Sequence, residues 1–152
     1  MLHTNNGVEI LWQLLNLKST KLINSKNFHL TASVIIVTIV SLTYGLFPNN
    51  ILPNLFDFTI DSIDLTQMFR AIMGLYLGMV ALWLTGIFNP YFWRAATIAN
   101  VFFMFGLASG RIISLVVDGI PSILLCAGLL LELILALWGV TNLKKYQETI
   151  KQ

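Results

Sequence analysis

Charged residues are scarce in this sequence. Only 11% of its 152 residues are Asp, Glu, Lys or Arg, and 57% are hydrophobic, whereas a soluble domain carries about 25% charged residues. The mean hydropathy is +0.79. One soluble core of this length could not cover so much apolar surface, so part of that surface must face lipid. The composition therefore excludes an ordinary soluble domain and predicts an integral membrane protein.

Cysteine and histidine are nearly absent, and with them most kinds of catalytic or metal centre. Cys126 is the single cysteine, which excludes an internal disulfide. His3 and His29 are isolated, and no nucleotide-binding loop or nucleophile elbow is present. We assign no catalytic residue, metal or cofactor, and enzyme activity has no positive support. The net charge of +2 is too small and too scattered for nucleic-acid binding.

Four apolar runs are long enough to cross a bilayer, which takes about 20 residues. They cover, approximately, residues 30–47, 65–88, 95–117 and 123–143. The breaks between them contain Pro, Asn and Gly, and the last two breaks are short, so spans two to four should be antiparallel neighbours. We predict an all-α, antiparallel four-helix transmembrane domain over residues 29–144, followed by a tail of residues 145–152.

The connection from Pro48 to Asp64 is too apolar for a solvated loop. Its apolar residues are Ile51, Leu52, Leu55, Phe56, Phe58, Ile60 and Ile63. We expect this connection to be ordered, as short helical turns or a brief extended piece, and to pack over the mouth of the bundle.

Basic residues are missing from two of the three connections. Lys and Arg flank the spans at Lys18, Lys21, Lys26, Arg94, Lys144, Lys145 and Lys151. All four aspartates lie in the other two connections, at Asp57, Asp61, Asp64 and Asp118. Because cytoplasmic loops carry the excess of Lys and Arg, both termini are predicted to be cytoplasmic. The tail of residues 145–152 is then a cytoplasmic tail.

The segment before the first span, within residues 1–28, is amphipathic. Val8, Leu11, Trp12 and Leu15 recur at helical spacing, opposite a polar stripe. The pattern fits a helix in the cytoplasmic interface, anchored by Trp12. It fits a segment docked on the end of the bundle equally well.

The stretch "TQMFRAIMGLYLG" places a permanent charge, Arg70, in the second span. At 100° per residue, Arg70 shares one sector with Gly74 and Gly78, whereas Ile72 and Trp83 take the far side. Small residues let helices approach closely, so this sector is predicted to face protein. Asp64 and Gln67 resemble an N-cap and its partner at the start of the span.

The third and fourth spans carry further polar residues on one side. In the third span, Asn100, Arg111, Ser114 and Asp118 lie within about 40° of one line, and Gly106 and Gly110 form a second GxxxG pair. In the fourth span, Glu132 shares its face with Gly128, Ala136 and Gly139.

These charges need partners, because each would cost about 2.5–3.5 kcal/mol at a lipid-exposed midplane. The antiparallel arrangement places Arg111 and Glu132 within about 5 Å of the same depth. Arg70 can reach outward to Asp64, Asp61 or Asp118, or inward to Glu132. The predicted site is a buried cluster near the extracytoplasmic side. Its members are Arg70, Arg111, Glu132, Asp118, Asp64, Ser114 and Asn100.

Three functions fit such a cluster. The sequence favours a structural or accessory subunit of a membrane complex, in which the charges hold the bundle in register. The alternative is a pocket for an anionic or carbonyl-bearing ligand such as a lipid headgroup, a quinone or a carboxylate, because two arginines outnumber one glutamate. A proton or small-solute path through a homo-oligomer is the third, but no polar stripe continues from Asn100 towards the cytoplasm. The lipid bilayer is the one partner common to all three.

Four stretches together resemble domain of unknown function 4345, a family of small bacterial four-helix membrane proteins. They are "TYGLFPNNILP", "IDLTQMFRAIMGLYLG", "GLASGRIISLVVDGIPS" and "LLLELILALWG". The resemblance covers about Tyr44 to Gly139. It implies a four-helix bundle, places the chain in the bacterial inner membrane and assigns no activity. The family pattern includes Arg70, Gly74, Gly78, Arg111, Asp118, Gly119, Pro121 and Glu132. The architecture is also similar to that of DoxX-type membrane proteins, some of which are associated with respiratory chains.

The charge distribution gives a direct test of topology. A fluorescent reporter that matures only in the cytoplasm should be bright when fused to the C-terminus, because the end of the fourth span and the tail carry Lys but no Asp. The matched control is a fusion after Asp118, which should be dark. A dark C-terminal fusion made in normal amount would contradict the topology.

Overall fold

Helices make up the regular structure of the described residues, which in this computed structural model are 10, 12–13, 25–56 and 58–148, the side chains of 147 and 148 excepted. From residue 25 onward the helices are α1 Phe28–Gly45, α2 Pro48–Leu55, α3 Ile63–Phe88, α4 Trp93–Val117 and α5 Ile123–Glu148. All but α2 are long and apolar enough to cross a membrane, which confirms the all-α prediction with four spans.

Two predicted boundaries need comment. The amphipathic helix expected within residues 1–28 lies largely outside the described residues. Helix α5 does not end near residue 143, since it continues through Asn142 and Lys145 to Glu148. The residues predicted to begin a separate tail therefore continue the last helix.

The start of α3 differs from the predicted cap. Ser62 is the N-cap, and its hydroxyl oxygen accepts a hydrogen bond from the Leu65 N–H at 3.1 Å. The prediction that Asp64 and Gln67 form the cap is wrong, because Ser62 has extended backbone and already reaches the amide of the third helical residue. Asp64 lies exposed in the first turn, where its negative charge suits the helix dipole.

The four long helices pack as two pairs, α1 with α3 and α4 with α5, and the pairs meet mainly between α3 and α4. Aromatic rings fill the interior between them. Trp83 is fully buried, and Phe103 of α4 contacts the rings of Tyr76 and Trp83 edge-on, with centroids 5.2 and 5.5 Å apart. Helices α1 and α5 make few contacts with each other, so the bundle is less tightly closed on that side.

Helix α1 carries the small residues that allow close packing. Ser33, Val37, Ser41 and Gly45 recur every four residues, so they form one face, and all four are buried. The two hydroxyls donate back to carbonyls of their own helix, at 2.9 Å each, so they add no unpaired donor to the interface. A methyl group at Gly45 would overlap Met73 of α3. The absence of a side chain at Gly45 therefore allows α1 to approach α3 closely at this point.

The two GxxxG pairs lie on the outer surface of the helix bundle. Gly74, Gly78, Gly106 and Gly110 are all exposed, and a Cβ built on any of them meets no atom within 4 Å. The prediction that they pack helices within the bundle is wrong. Helix α3 turns its large residues inward because bulky rings are needed to fill the interior at native density, while the close approach is supplied by α1.

The connection between α1 and α3 is ordered as its apolar residues predict. Helix α2 begins with Pro48 in its first turn, a position that proline favours. Leu52 and Ile60 are buried. The ring of Phe56 stacks on Phe58, which stacks in turn on Phe69 of α3, with centroids 5.9 and 6.1 Å apart. This connection therefore covers one end of the bundle, called here the α2 end.

The glycine contacts predict opposite outcomes for two alanine substitutions in α3. A methyl group at Gly86 would overlap the Cβ of Ala96 in α4, so Gly86→Ala should destabilise the protein by about 1–3 kcal/mol through overpacking. The control, Gly78→Ala, should be neutral or stabilising by up to about 1 kcal/mol through helix propensity. Thermal unfolding in detergent, followed by circular dichroism, compares the two. Equal Tm values would contradict this packing.

Candidate functional site

An ion pair joins α4 to α5. The Nε–H of Arg111 donates to both carboxylate oxygens of Glu132, at 2.9 and 3.1 Å. The Glu132 side chain is 11% exposed and that of Arg111 is 25% exposed, so the pair is largely withdrawn from its surroundings. The pairing expected from helical depth is therefore present in the structure.

The glycine one turn before Glu132 makes room for the arginine. A Cβ at Gly128 would lie 3.7 Å from both the Cζ and the Nη2 of Arg111, so the guanidinium lies against the backbone of α5. Of the five glycines predicted to pack helices, Gly128 is the one with a neighbour from another helix.

The terminal nitrogens of Arg111 are not bound by Glu132, because the carboxylate takes only the Nε–H. The hydroxyl of Tyr44, from α1, interacts with the same guanidinium. An arginine has five N–H donors in a planar fork, so hydrogen-bonding capacity remains on the two terminal nitrogens.

A cavity of about 410 Å³ lies beside the ion pair. Its walls come chiefly from α1 and α5, and Phe56, Tyr76 and Met104 also line it. Most of its lining side chains are aliphatic or aromatic, and its charged groups are Arg111 and Glu132. Ligand pockets have volumes of about 300–1,000 Å³ and combine apolar walls with a few polar groups. The cavity has both properties.

Arg70 is not part of this site. It is exposed and borders a shallow groove beside Phe47, Asn49 and Thr66 at the α2 end. Among the described residues it forms no salt bridge within 4.0 Å. The predicted convergence of Arg70 with Arg111 is wrong because α3 directs Tyr76, not the Arg70 sector, towards the interior. An arginine this close to a helix end can extend its charge to the membrane surface.

The aspartates do not close the pair either. Ser114 donates a hydrogen bond to Asp118 at 2.7 Å, and both residues are exposed at the end of α4. Asp64 is exposed at the start of α3. Both carboxylates lie at helix ends, where water or headgroups can solvate them, so neither needs the buried arginine. The predicted cluster is therefore reduced to Arg111 and Glu132.

Asn100 belongs to a different polar group, at the end of the bundle opposite α2. It is fully buried and lies about 16 Å from Arg111 along α4, at 1.5 Å per residue. His29 is also fully buried, and its Nδ1 lies 2.7 Å from the Nδ2 of Asn142. The sequence shows His29 as an isolated histidine and does not single out Asn142. Asn142 could have been found from its spacing, since it follows Gly139 by three residues and Leu135 by seven on the buried face of α5.

A double-mutant cycle tests the ion pair. Glu132→Gln should destabilise the protein strongly, because it leaves the cation without its counter-charge in a low-dielectric site, a loss of up to about 3–5 kcal/mol. Arg111→Gln should also destabilise it. The double variant should lose less than the sum of the two, with a coupling of about 0.5–3 kcal/mol. Thermal unfolding in detergent measures all four proteins, and additive losses would contradict the pairing.

Comparison with known protein families identifies the chain. The family described as Domain of unknown function (DUF4345) matches residues 25–143, which include both members of the ion pair and every residue that lines the cavity. Among the curated proteins and the solved structures, none matches the chain, and the similarity to DoxX-type proteins stays a prediction. Since the family covers most of its length, the chain belongs to the DUF4345 family.

Proposed function

We propose that this membrane protein binds a neutral amphiphile, a lipid or a quinone, with a carbonyl group of the ligand at Arg111 and its apolar part along the cavity. The observation that carries the proposal is the position of the ion pair on the wall of an otherwise apolar cavity of about 410 Å³. This function is favoured over a purely structural one because register alone does not require a cavity of ligand size.

The charge of the site selects the class of ligand. With Arg70 outside the site, one arginine faces one glutamate, and the pair is neutral as a unit. A carboxylate ligand would compete with Glu132 for the guanidinium and would bring an uncompensated negative charge into a low-dielectric site. A carbonyl oxygen needs only hydrogen-bond donors, which the terminal nitrogens of Arg111 supply. The site therefore suits a neutral acceptor better than the anion that two arginines would have favoured.

The route into the cavity follows from the packing of the helices. The cavity is walled by Val40 and Tyr44 of α1 and by Leu124 and Leu131 of α5, the two helices with few mutual contacts. A ligand can enter from the bilayer between them, so its tail need not pass through water. If both termini are cytoplasmic, the cavity lies in the extracytoplasmic half of the membrane.

An accessory role remains the second candidate, and one observation favours it. The exposed glycine faces of α3 and α4 are surfaces on which a partner helix could pack closely. Such a partner, or a second copy of this chain, would leave the cavity between α1 and α5 accessible.

Ligand retention tests the proposal. Val40 lines the cavity, whereas the neighbouring Ile39 does not line it and is 61% exposed. Val40→Trp should fill the cavity and lower the amount of co-purified amphiphile at least about tenfold, whereas Ile39→Trp should leave it unchanged. Native mass spectrometry of protein released from membranes measures the occupancy. Equal occupancy in wild type and both variants, or no bound amphiphile in the wild type, would contradict the proposal.

A further inference from the structure

The end of the bundle opposite α2 concentrates buried polar atoms that have no partner. Five buried side-chain atoms of the described residues make no hydrogen bond, and four of them belong to His29, Trp93 and Asn100. The fifth is the indole nitrogen of Trp83. The concentration matters because buried polar groups are normally satisfied, by protein or by internal water.

The three residues are neighbours in space. The rings of His29 and Trp93 meet edge-on, with centroids 6.2 Å apart. The Oδ1 of Asn100 and the Cδ2 of His29 both lie within 4 Å of the position that a Cβ of Gly139 would take. Helices α1, α4 and α5 therefore each contribute to one buried group, which we call the His29 site and define as His29, Trp93, Asn100 and Asn142.

The Nδ2 of Asn142 lies 2.7 Å from the Nδ1 of His29. An amide N–H can only donate, so we assign the acceptor role to the Nδ1 of His29, as part of the proposal below. A neutral imidazole that accepts at Nδ1 carries its proton on Nε2, and this Nε2–H is one of the unpaired atoms. The His29 site thus has free donors on His29, Trp93 and Asn100, and a free acceptor in the Oδ1 of Asn100.

We propose that the His29 site binds an internal water molecule, which accepts from the Nε2–H of His29 and donates to the Oδ1 of Asn100. Water both donates and accepts, and an internal water commonly makes about three hydrogen bonds to groups that are otherwise unsatisfied. The indole N–H of Trp93 is the candidate for the third. This site lies outside the amphiphile cavity and does not depend on it.

The sign of a stability change tests the proposal. If Asn100 binds water, Asn100→Leu removes the acceptor and strands the other polar groups, so Tm should fall by about 4 °C or more. If the amide is simply unpaired in a dry interior, the same change removes an unsatisfied group and Tm should stay the same or rise. The control is Thr97→Val on the same face of α4, because the hydroxyl of Thr97 already donates to the backbone carbonyl of Trp93 in its own helix, at 2.8 Å.

A second measurement does not depend on a variant that folds. In solid-state NMR of the ¹⁵N-histidine-labelled protein in lipid bilayers, His29 should show the Nε2–H tautomer and receive magnetisation from water; the His3→Gln variant assigns the signal. An Nδ1–H tautomer, or no transfer from water, would overturn the proposal. If the Asn100 side chain instead bonds His29 directly, His29 should receive no magnetisation from water. This result would also overturn the proposal.

Discussion

The register of α4 against α5 depends on the pairing of Arg111 with Glu132. Lipid is as apolar as the helix surfaces, so burial of apolar side chains alone cannot hold α4 and α5 in one register. A charged pair can, because any axial shift of one helix separates the charges in a low-dielectric medium. Gly128 contributes by letting the guanidinium lie against α5. The same pair then provides the charged part of the cavity wall.

The cavity is a consequence of how the helices are paired. Large rings of α3 and α4 fill the interior between these two helices, and α1 packs against α3, with a close contact at Gly45. Little is left to bring α1 onto α5, so a space remains between them, capped by Phe56 from the connection. A single arrangement thus explains the tight contact at Gly45, the open side of the bundle and the presence of a cavity beside the ion pair.

The wrong placement of Arg70 and the wrong packing predicted for Gly74 and Gly78 have one source. Helical phase showed correctly that Arg70, Gly74 and Gly78 share a sector, but phase does not say whether a sector faces protein or lipid. In a soluble protein the apolar side would be the inner one. In a membrane both sides are apolar, so side-chain volume determines which side faces inward. Tyr76 and Trp83 fill the interior, and the face with Gly74 and Gly78 turns outward.

Four features could be predicted from the sequence: the four apolar helices, their approximate ends, the ordered connection and the pairing of Arg111 with Glu132. These depend on local composition, on turn residues and on the rise per residue, all of which are readable along the chain. Three features follow only from the packing of the helices: the separation of Arg70 from the ion pair, the cavity between α1 and α5, and the buried group around His29 and Asn100. Each of these depends on which faces of different helices meet, and that is fixed by side-chain volumes packed together in three dimensions rather than by any pattern within one helix.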